Sequence, residues 1–265
     1  MYTRFQLSKK YLHYYLTASN GKGHGVHSPF VFEFIKNVLR DKKDYDHYHL
    51  IEARRQELLK RSTEIEVEDL GAGSVISKTK KRAVATIAGS SLKPAKYAQL
   101  LYRVSRYYGA QTILELGTSL GITTSYLAAA NDRAKVYTME GSAAIAEIAK
   151  DTFAKLDLKN IELVQGNFND RLPALLSKLN TIDLAFIDGN HRKEPTLDYF
   201  QQLLAHTAPT SILIFDDIHW SADMEAAWGE IKRHPSVTLT IDLFFIGIVF
   251  FNTDFSHKQD FSIRF

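Results

Sequence analysis

The chain contains no cysteine, which excludes disulfides, thiolate zinc sites and thiol nucleophiles. It also lacks any apolar run approaching the roughly 20 residues that cross a bilayer. The longest such run, 243–251, is interrupted by Gly247 and fits a buried strand. The opening residues, MYTRFQLSKKYLHYYL, have no apolar centre of the kind a signal peptide needs. These absences predict a soluble, cytoplasmic protein with no membrane partner. Net charge is nearly absent too: 33 Lys and Arg against 30 Asp and Glu leave +3, so global charge selects no class of partner. Acids are missing locally as well. None occurs between Asp69 and Glu115, whereas Lys78, Lys80, Lys81, Arg82, Lys93, Lys96, Arg103 and Arg106 fall there. A solvated basic face is the plain reading. Attraction of an anionic acceptor, phosphate or RNA is the sharper one.

What remains is enough for a real core. The 265 residues, 45% of them apolar, suit one large domain or a domain with an appendage. There is no internal repeat. From residue 112 onward strand and helix alternate. Strands are expected at 112–116, 135–139, 161–165, 182–187 and 211–215, and a closing antiparallel pair at 237–243 and 247–251. Helices are expected at 123–130, 143–156, 173–179, 197–206 and 222–233. This alternation predicts an α/β fold with a mostly parallel sheet layered by helices on both faces. Residues 11–16, 30–39 and 50–61 read as helices, and 94–108 as a helix leading into the first strand. The expected division is a helical N-terminal extension over 1–91, which could serve as a substrate lid, and a main domain over 92–265.

Two glycine turns compete for a nucleotide-like ligand. Such a turn needs a buried strand before it, glycines that let backbone N–H groups approach the ligand, and a helix start after it. ILELGTSLGITT, at 113–124, meets all three. Glu140 then ends the next predicted strand, at about the 20-residue spacing from which an acid grips a ribose diol. DLGAGS, at 69–74, does not meet them: STEIEVED before it would make at best an exposed edge strand, and VISKTKKRAV after it is basic. It reads as a loop. A dinucleotide fingerprint would need glycine where Ser119 stands, so a nicotinamide oxidoreductase is a distant reading.

ELGTSLGITT resembles the first motif of class I S-adenosylmethionine-dependent methyltransferases, in the form used by catechol and caffeoyl-CoA O-methyltransferases. PAKYAQLL resembles the helix those enzymes place before it, with Ala98 where glycine is usual. VYTMEGS resembles their ribose-binding strand end, and DLAFIDGNH and ILIFDDIH resemble their fourth and fifth strand ends. The likeness covers about 92–251. It implies a Rossmann-like seven-stranded sheet with one antiparallel strand, and S-adenosylmethionine as cofactor. It places Gly117 and Thr118 against the methionine part, Glu140 on the ribose hydroxyls, and Gly166, Asn167 and Phe168 at the adenine. Glu115, Gly121, Thr123 and Asp188 complete the expected cofactor set.

Asp188, Asp216 and Asp217 fall at predicted strand ends, where ligands bind in open parallel sheets. Packed carboxylates cost electrostatic energy unless a cation or proton offsets it, and hard oxygen ligands suit Mg²⁺. The resembled enzymes hold a divalent cation with three such residues, the last usually asparagine; Asp217 stands there. They use a lysine base three residues after the first metal acid, where this chain has His191. An imidazole can act as base at neutral pH. The plainer readings are a helix cap for Asp216 and Asp217 and an ordinary loop histidine for His191. His24 and His27 have a zinc-like spacing but no strong further ligand.

The resulting expectation is methyl transfer from S-adenosylmethionine to a small-molecule hydroxyl, with Mg²⁺ or another divalent cation and His191 as catalytic base. The alternatives are an RNA or nitrogen methyltransferase using the basic 78–106 segment, and a cofactor-binding protein without turnover. Nucleic acid is not the expected partner. A homodimer is compatible with the sequence but not legible in it.

Overall fold

The computed structural model describes residues 1–23, 26–68 and 79–265. His24, the DLGAGS loop and Lys78 lie outside the described residues. In chain order the elements are α1 Arg4–Thr17, α2 Pro29–Phe34 continuing into a π-helical turn Ile35–Leu39, α3 Asp46–Lys60, β1 Glu64–Glu68, β2 Thr79–Ala83, α4 Val84–Ser91, α5 Ala95–Tyr108, β3 Thr112–Leu116, α6 Ile122–Ala129 and β4 Lys135–Glu140. There follow α7 Ala143–Lys155, β5 Ile161–Gln165, α8 Phe168–Leu176, β6 Leu184–Ile187, α9 Lys193–Leu204, β7 Ile212–Asp216, α10 Ala222–Arg233, β8 Leu239–Asp242, β9 Ile246–Phe250 and β10 Gln259–Ser262. The main sheet has eight strands in the order β10-β8-β9-β7-β6-β3-β4-β5. Strand β9 runs antiparallel to both β7 and β8, as the sequence pattern predicts.

Two points correct the sequence reading. The sheet has an eighth strand, β10, which pairs in parallel with β8 from Gln259↔Leu239 to Ser262↔Asp242. Its sequence, QDFS, has no apolar run and its burial merely alternates. Hydrogen bonds from Thr240 to Asp260 at 2.6 Å and from Lys232 to Asp260 at 2.8 Å tie it down. The second point is the antiparallel pair β1–β2, in register from Glu64↔Ala83 to Glu68↔Thr79. The first 91 residues therefore hold a two-stranded ribbon as well as helices. They also divide between two compact units, Met1–Asp41 with Leu179–Phe265, and Lys42–Lys178.

In the unit Lys42–Lys178, β3, β4 and β5 run parallel, with Glu115 opposite Thr138 and Glu140 opposite Gln165. Helix α5 has its apolar residues on one face and ends at Gly109, whose φ of 66° is the left-handed conformation that glycine adopts without strain. Its Tyr102 packs against Tyr48 of α3 at 5.0 Å between centroids, and Tyr48 against Tyr126 of α6 at 5.5 Å. Tyr126 also donates to Glu52 at 2.8 Å, so its polar tip is satisfied within the core. Buried Arg54 of α3 reaches Asp151 of α7 at 2.7 Å and Glu57 at 2.9 Å.

In the unit formed by Met1–Asp41 and Leu179–Phe265, β6 and β7 are parallel and fully buried, which explains their near-continuous apolar sequences. Trp228 of α10 lies so close to β9 that a Cβ on Gly247 would sit 2.7–2.9 Å from its ring. Glycine is required there by space. Helix α1 packs Tyr14 and Ala18, with Leu7 and Tyr11 beside them, on Phe244 and Phe245.

Candidate active site

The glycine turn after β3 is built by three backbone devices. Gly117 at φ 110° and Gly121 at φ 82° take conformations that glycine tolerates, and Ser119 between them is left-handed at φ 49°. The N–H groups of Gly117 and Thr118 both donate to the Met139 carbonyl, at 3.1 and 3.0 Å, which fastens the turn to the end of β4. Gly121 starts α6, and a Cβ there would meet the Phe153 ring of α7 at 2.6 Å. The turn is thus a strand-to-helix junction that no other residue fits without displacement.

Beneath it runs a ladder of buried hydroxyls that the sequence reading missed. Glu115 is fully buried; its Oε2 accepts from Thr138 at 2.6 Å and from Thr124. Thr138 and Thr118 hydroxyls lie 2.6 Å apart. The β3–β4 register that sets Glu115 against Thr138 was the available signal. Glu115 therefore holds the turn's supports from inside. Thr123, in the first turn of α6, is buried as well.

Glu140 sits half-buried at the tip of β4. Its carboxylate accepts the Ser119 N–H at 2.9 Å and the Ser142 N–H at 3.0 Å. Burial pushes its carboxyl above the ordinary range, opposed by the N–H groups of Ser142, Ser119 and Gly141. Gly166, at φ 130°, donates its N–H to the Glu140 carbonyl at 2.9 Å. Asn167 then caps α8 by accepting the Asn169 N–H at 2.9 Å, and Phe168 opens that helix. Within this unit the structure brings the glycine turn, the β4 acid and the β5 end together, as the strand register requires.

The other unit carries the strand-end acids. Asp188 follows β6, and Asp216 ends β7 fully inside the protein. Ile187 opposite Phe215 brings the two ends side by side. Ligand atoms of Asp188, His191 and Asp216 all lie within 4.8 Å of one another, and His191 Nε2 is 3.4 Å from Asp188 Oδ1. The loop pays for this placement in backbone strain, with Asn190 at φ 66° and His191 at φ 25°. Asn190 Nδ2 donates to the hydroxyl of buried Tyr199 on α9, which anchors the loop to the following helix. Asp217 is not in this group. It has turned to φ 53°, and its N–H donates to the Phe245 carbonyl at 2.7 Å. Neither Asp216 nor Asp217 caps α10; Ser221 does, accepting the Met224 N–H at 3.2 Å.

Two carboxylates and an imidazole with ligand atoms within 4.8 Å of one another fit a divalent cation, and the two carboxylates, uncompensated, would repel. His27 is exposed and is not in this cluster. His219 is also occupied elsewhere, between Glu225 at 2.9 Å and Asp242 at 2.8 Å. Of the basic residues in 78–106, Arg103 is buried and Arg82 reaches Ser90 at 3.1 Å, so the segment is not a continuous exposed basic face.

Comparison with known proteins accords with this geometry. Residues 114–218 match a family model described as a methyltransferase domain. A curated relative, the O-methyltransferase imqG of Aspergillus flavus, is 30% identical over 42% of this chain and 46% of its own length. A tRNA (guanine-N(7)-)-methyltransferase of Mycoplasma mobile is 29% identical over 44% of this chain and 64% of its own. The chain thus spans about half to two thirds of these relatives. Their names give different acceptors. Among solved structures, an O-methyltransferase of Bacillus cereus in complex with SAH superposes with a TM-score of 0.57 at 20% identity, covering 83% of this chain and 97% of that one. Residues 114–218 are thus similar to a methyltransferase domain, and the chain shares its fold with the Bacillus cereus O-methyltransferase.

Proposed function

We propose that the protein transfers a methyl group from S-adenosylmethionine to a hydroxyl of a small molecule. The observation that carries this reading is Glu140. A half-buried carboxylate stands at the strand tip beside a glycine turn locked open by positive φ angles, with the polarity and position to accept both hydroxyls of a ribose. Gly117, Thr118 and Gly121 would border the methionine part, Gly166 to Phe168 the adenine, and Glu115 and Thr123 would hold the turn.

The donor carbon of a sulfonium is already electrophilic, so the acceptor oxygen is the partner that needs help. In this reading His191 takes the hydroxyl proton at Nδ1, because Nε2 faces Asp188 Oδ1 at 3.4 Å, where the carboxylate orients the ring and stabilises the imidazolium. An oxygen lone pair then forms the O–CH₃ bond, the C–S bond breaks, and S-adenosylhomocysteine leaves. Asp188 and Asp216 would hold the divalent cation, with Asp217 the third ligand of the sequence reading and His191 its rival for that place. When bound, the cation would stabilise the oxyanion and orient it. The two roles of His191 separate cleanly: as base, His191→Ala leaves Mn²⁺ affinity intact and removes turnover; as ligand, it loses both.

A crystal soaked with S-adenosylhomocysteine and Mn²⁺ tests the whole assignment. Nucleoside density against Glu140 and the 117–121 turn, and an anomalous peak at Asp188 and Asp216, are expected. Density for neither would refute the reading. The RNA reading has the Mycoplasma relative in its favour, but the inward Arg103 weighs against it. Chelator should abolish the hydroxyl methylation and would spare that alternative.

A further inference from the structure

Helix α1 has two apolar faces, and only one is used by the fold. The inner face is pinned firmly: Tyr11 and Tyr14 meet Phe244 at 5.0 and 5.3 Å between centroids, Tyr2 and Lys10 bond Glu225 at 2.7 and 3.0 Å, and the Tyr2 N–H donates to the Trp220 carbonyl at 3.1 Å. A capping box between Thr3 and Gln6 closes the helix start. The helix therefore cannot roll to hide its other side.

That other side carries Phe5, Leu12 and Leu16, which are 80%, 57% and 73% exposed, with Met1 and Tyr15 beside them. Residues 5, 12 and 16 fall within about 40° of one another at 100° per residue, and the stripe is about 16 Å long. The charged side chains on its flanks are basic. Arg4 and Lys9 are exposed along it, and the Arg264 guanidinium lies 5.4 Å over the Tyr15 ring. The first acid of the whole chain is Glu33. A second copy of α1 would bring like charges together across the contact, so self-association is the occupant this surface opposes. A convex ridge of large apolar side chains, rimmed by cations and a tyrosine hydroxyl, suits a deformable surface with apolar depth and anionic headgroups.

We propose that α1 is a membrane-surface anchor, laying Phe5, Leu12 and Leu16 into the headgroup boundary of an anionic bilayer. No helix among the described residues is long and apolar enough to cross a membrane, and a helix lying in the interface needs no such length. The anchor is independent of the methyl-transfer reading, because its readout is vesicle binding. The test is co-sedimentation of the full chain with vesicles of equal phosphatidylglycerol and phosphatidylcholine, and with pure phosphatidylcholine. Binding to the anionic vesicles is expected, weakened at least about tenfold by omission of phosphatidylglycerol or by high salt. The triple variant Phe5→Ser, Leu12→Ser, Leu16→Ser should lose binding at least about tenfold with unchanged circular dichroism. The pair Arg4→Glu and Lys9→Glu, which leaves the apolar stripe intact, should do the same. No sedimentation with anionic vesicles, or equal sedimentation of wild type and both variants, would overturn the proposal. A concentration-dependent dimer abolished by the triple variant would assign the face to a second copy and overturn it as well.

Discussion

At the scale of single residues, Glu140 and His191 make opposite predictions. Glu140→Ala removes acceptors from a half-buried site and should weaken S-adenosylmethionine binding by about 1–3 kcal/mol, read by calorimetry. The proton matters too. Ribose hydroxyls need the ionised carboxylate, and burial holds the folded Glu140 above the ordinary range. Donor affinity should therefore fall on acidification already above the usual carboxylate pKa, and the fall should vanish in Glu140→Ala. A flat affinity across that range would remove Glu140 from the site. His191→Ala should leave donor binding unchanged and slow turnover by about 10²–10⁴; near-wild-type turnover would end its assignment as base. Gly121→Ala forces a side chain into φ 82° and against Phe153, and should cost about 1–3 kcal/mol of stability in urea unfolding. The strand-end positions of Asp188, Asp216 and Glu140 were legible in the sequence: Glu140 and Asp216 close β4 and β7, and Asp188 directly follows β6. The exchange of Asp217 for His191 in the three-residue cluster was not, since it depends on the left-handed turns at Asn190, His191 and Asp217.

At the scale of elements, α1, α10, β8 and β9 meet around one charged network. His219 stacks on Phe244 at 5.1 Å and bonds Asp242 and Glu225; Trp228 adds its N–H to Asp242 at 3.2 Å. Burial disfavours the imidazolium, but the two carboxylates outweigh it and raise the His219 pKa. Glu225 is lowered: burial opposes this, and bonds from Tyr2, Lys10 and His219 prevail. The signs differ. Stabilisation through His219 is fully present below its unfolded value of 6.5 and is lost as pH rises through the higher folded value. Stabilisation through Glu225 is present above 4.5 and is lost as pH falls through its lower folded value. His219→Ala should therefore cost about 1–3 kcal/mol near pH 6, and the difference from wild type should shrink as pH rises. A pH-independent difference would contradict the network's role. Most elements were legible from period and punctuation: β3, β5 and α10 stand where the pattern put them. Helix α8 begins at Phe168, not at Pro173, because the Asn167 cap sets the start and the helix accommodates proline within it. Helix 30–39 breaks into a π-helical turn, and β10 has too few apolar residues to announce itself.

At the scale of the molecule, the glycine turn and Glu140 belong to the unit Lys42–Lys178, and the acid–imidazole cluster to the unit formed by Met1–Asp41 and Leu179–Phe265. The sequence periodicity showed the parallel sheet and its antiparallel closure. It did not show that the first 91 residues divide between the units, since that depends on long-range packing that no local pattern encodes. The names of the relatives give oxygen and nitrogen acceptors, so likeness to them does not select the acceptor. The most direct test of the account is calorimetric titration of the full chain with S-adenosylmethionine and S-adenosylhomocysteine. Saturable binding of both, weakened in Glu140→Ala, is the predicted result; no heat of binding from either nucleoside under any buffer condition would contradict it.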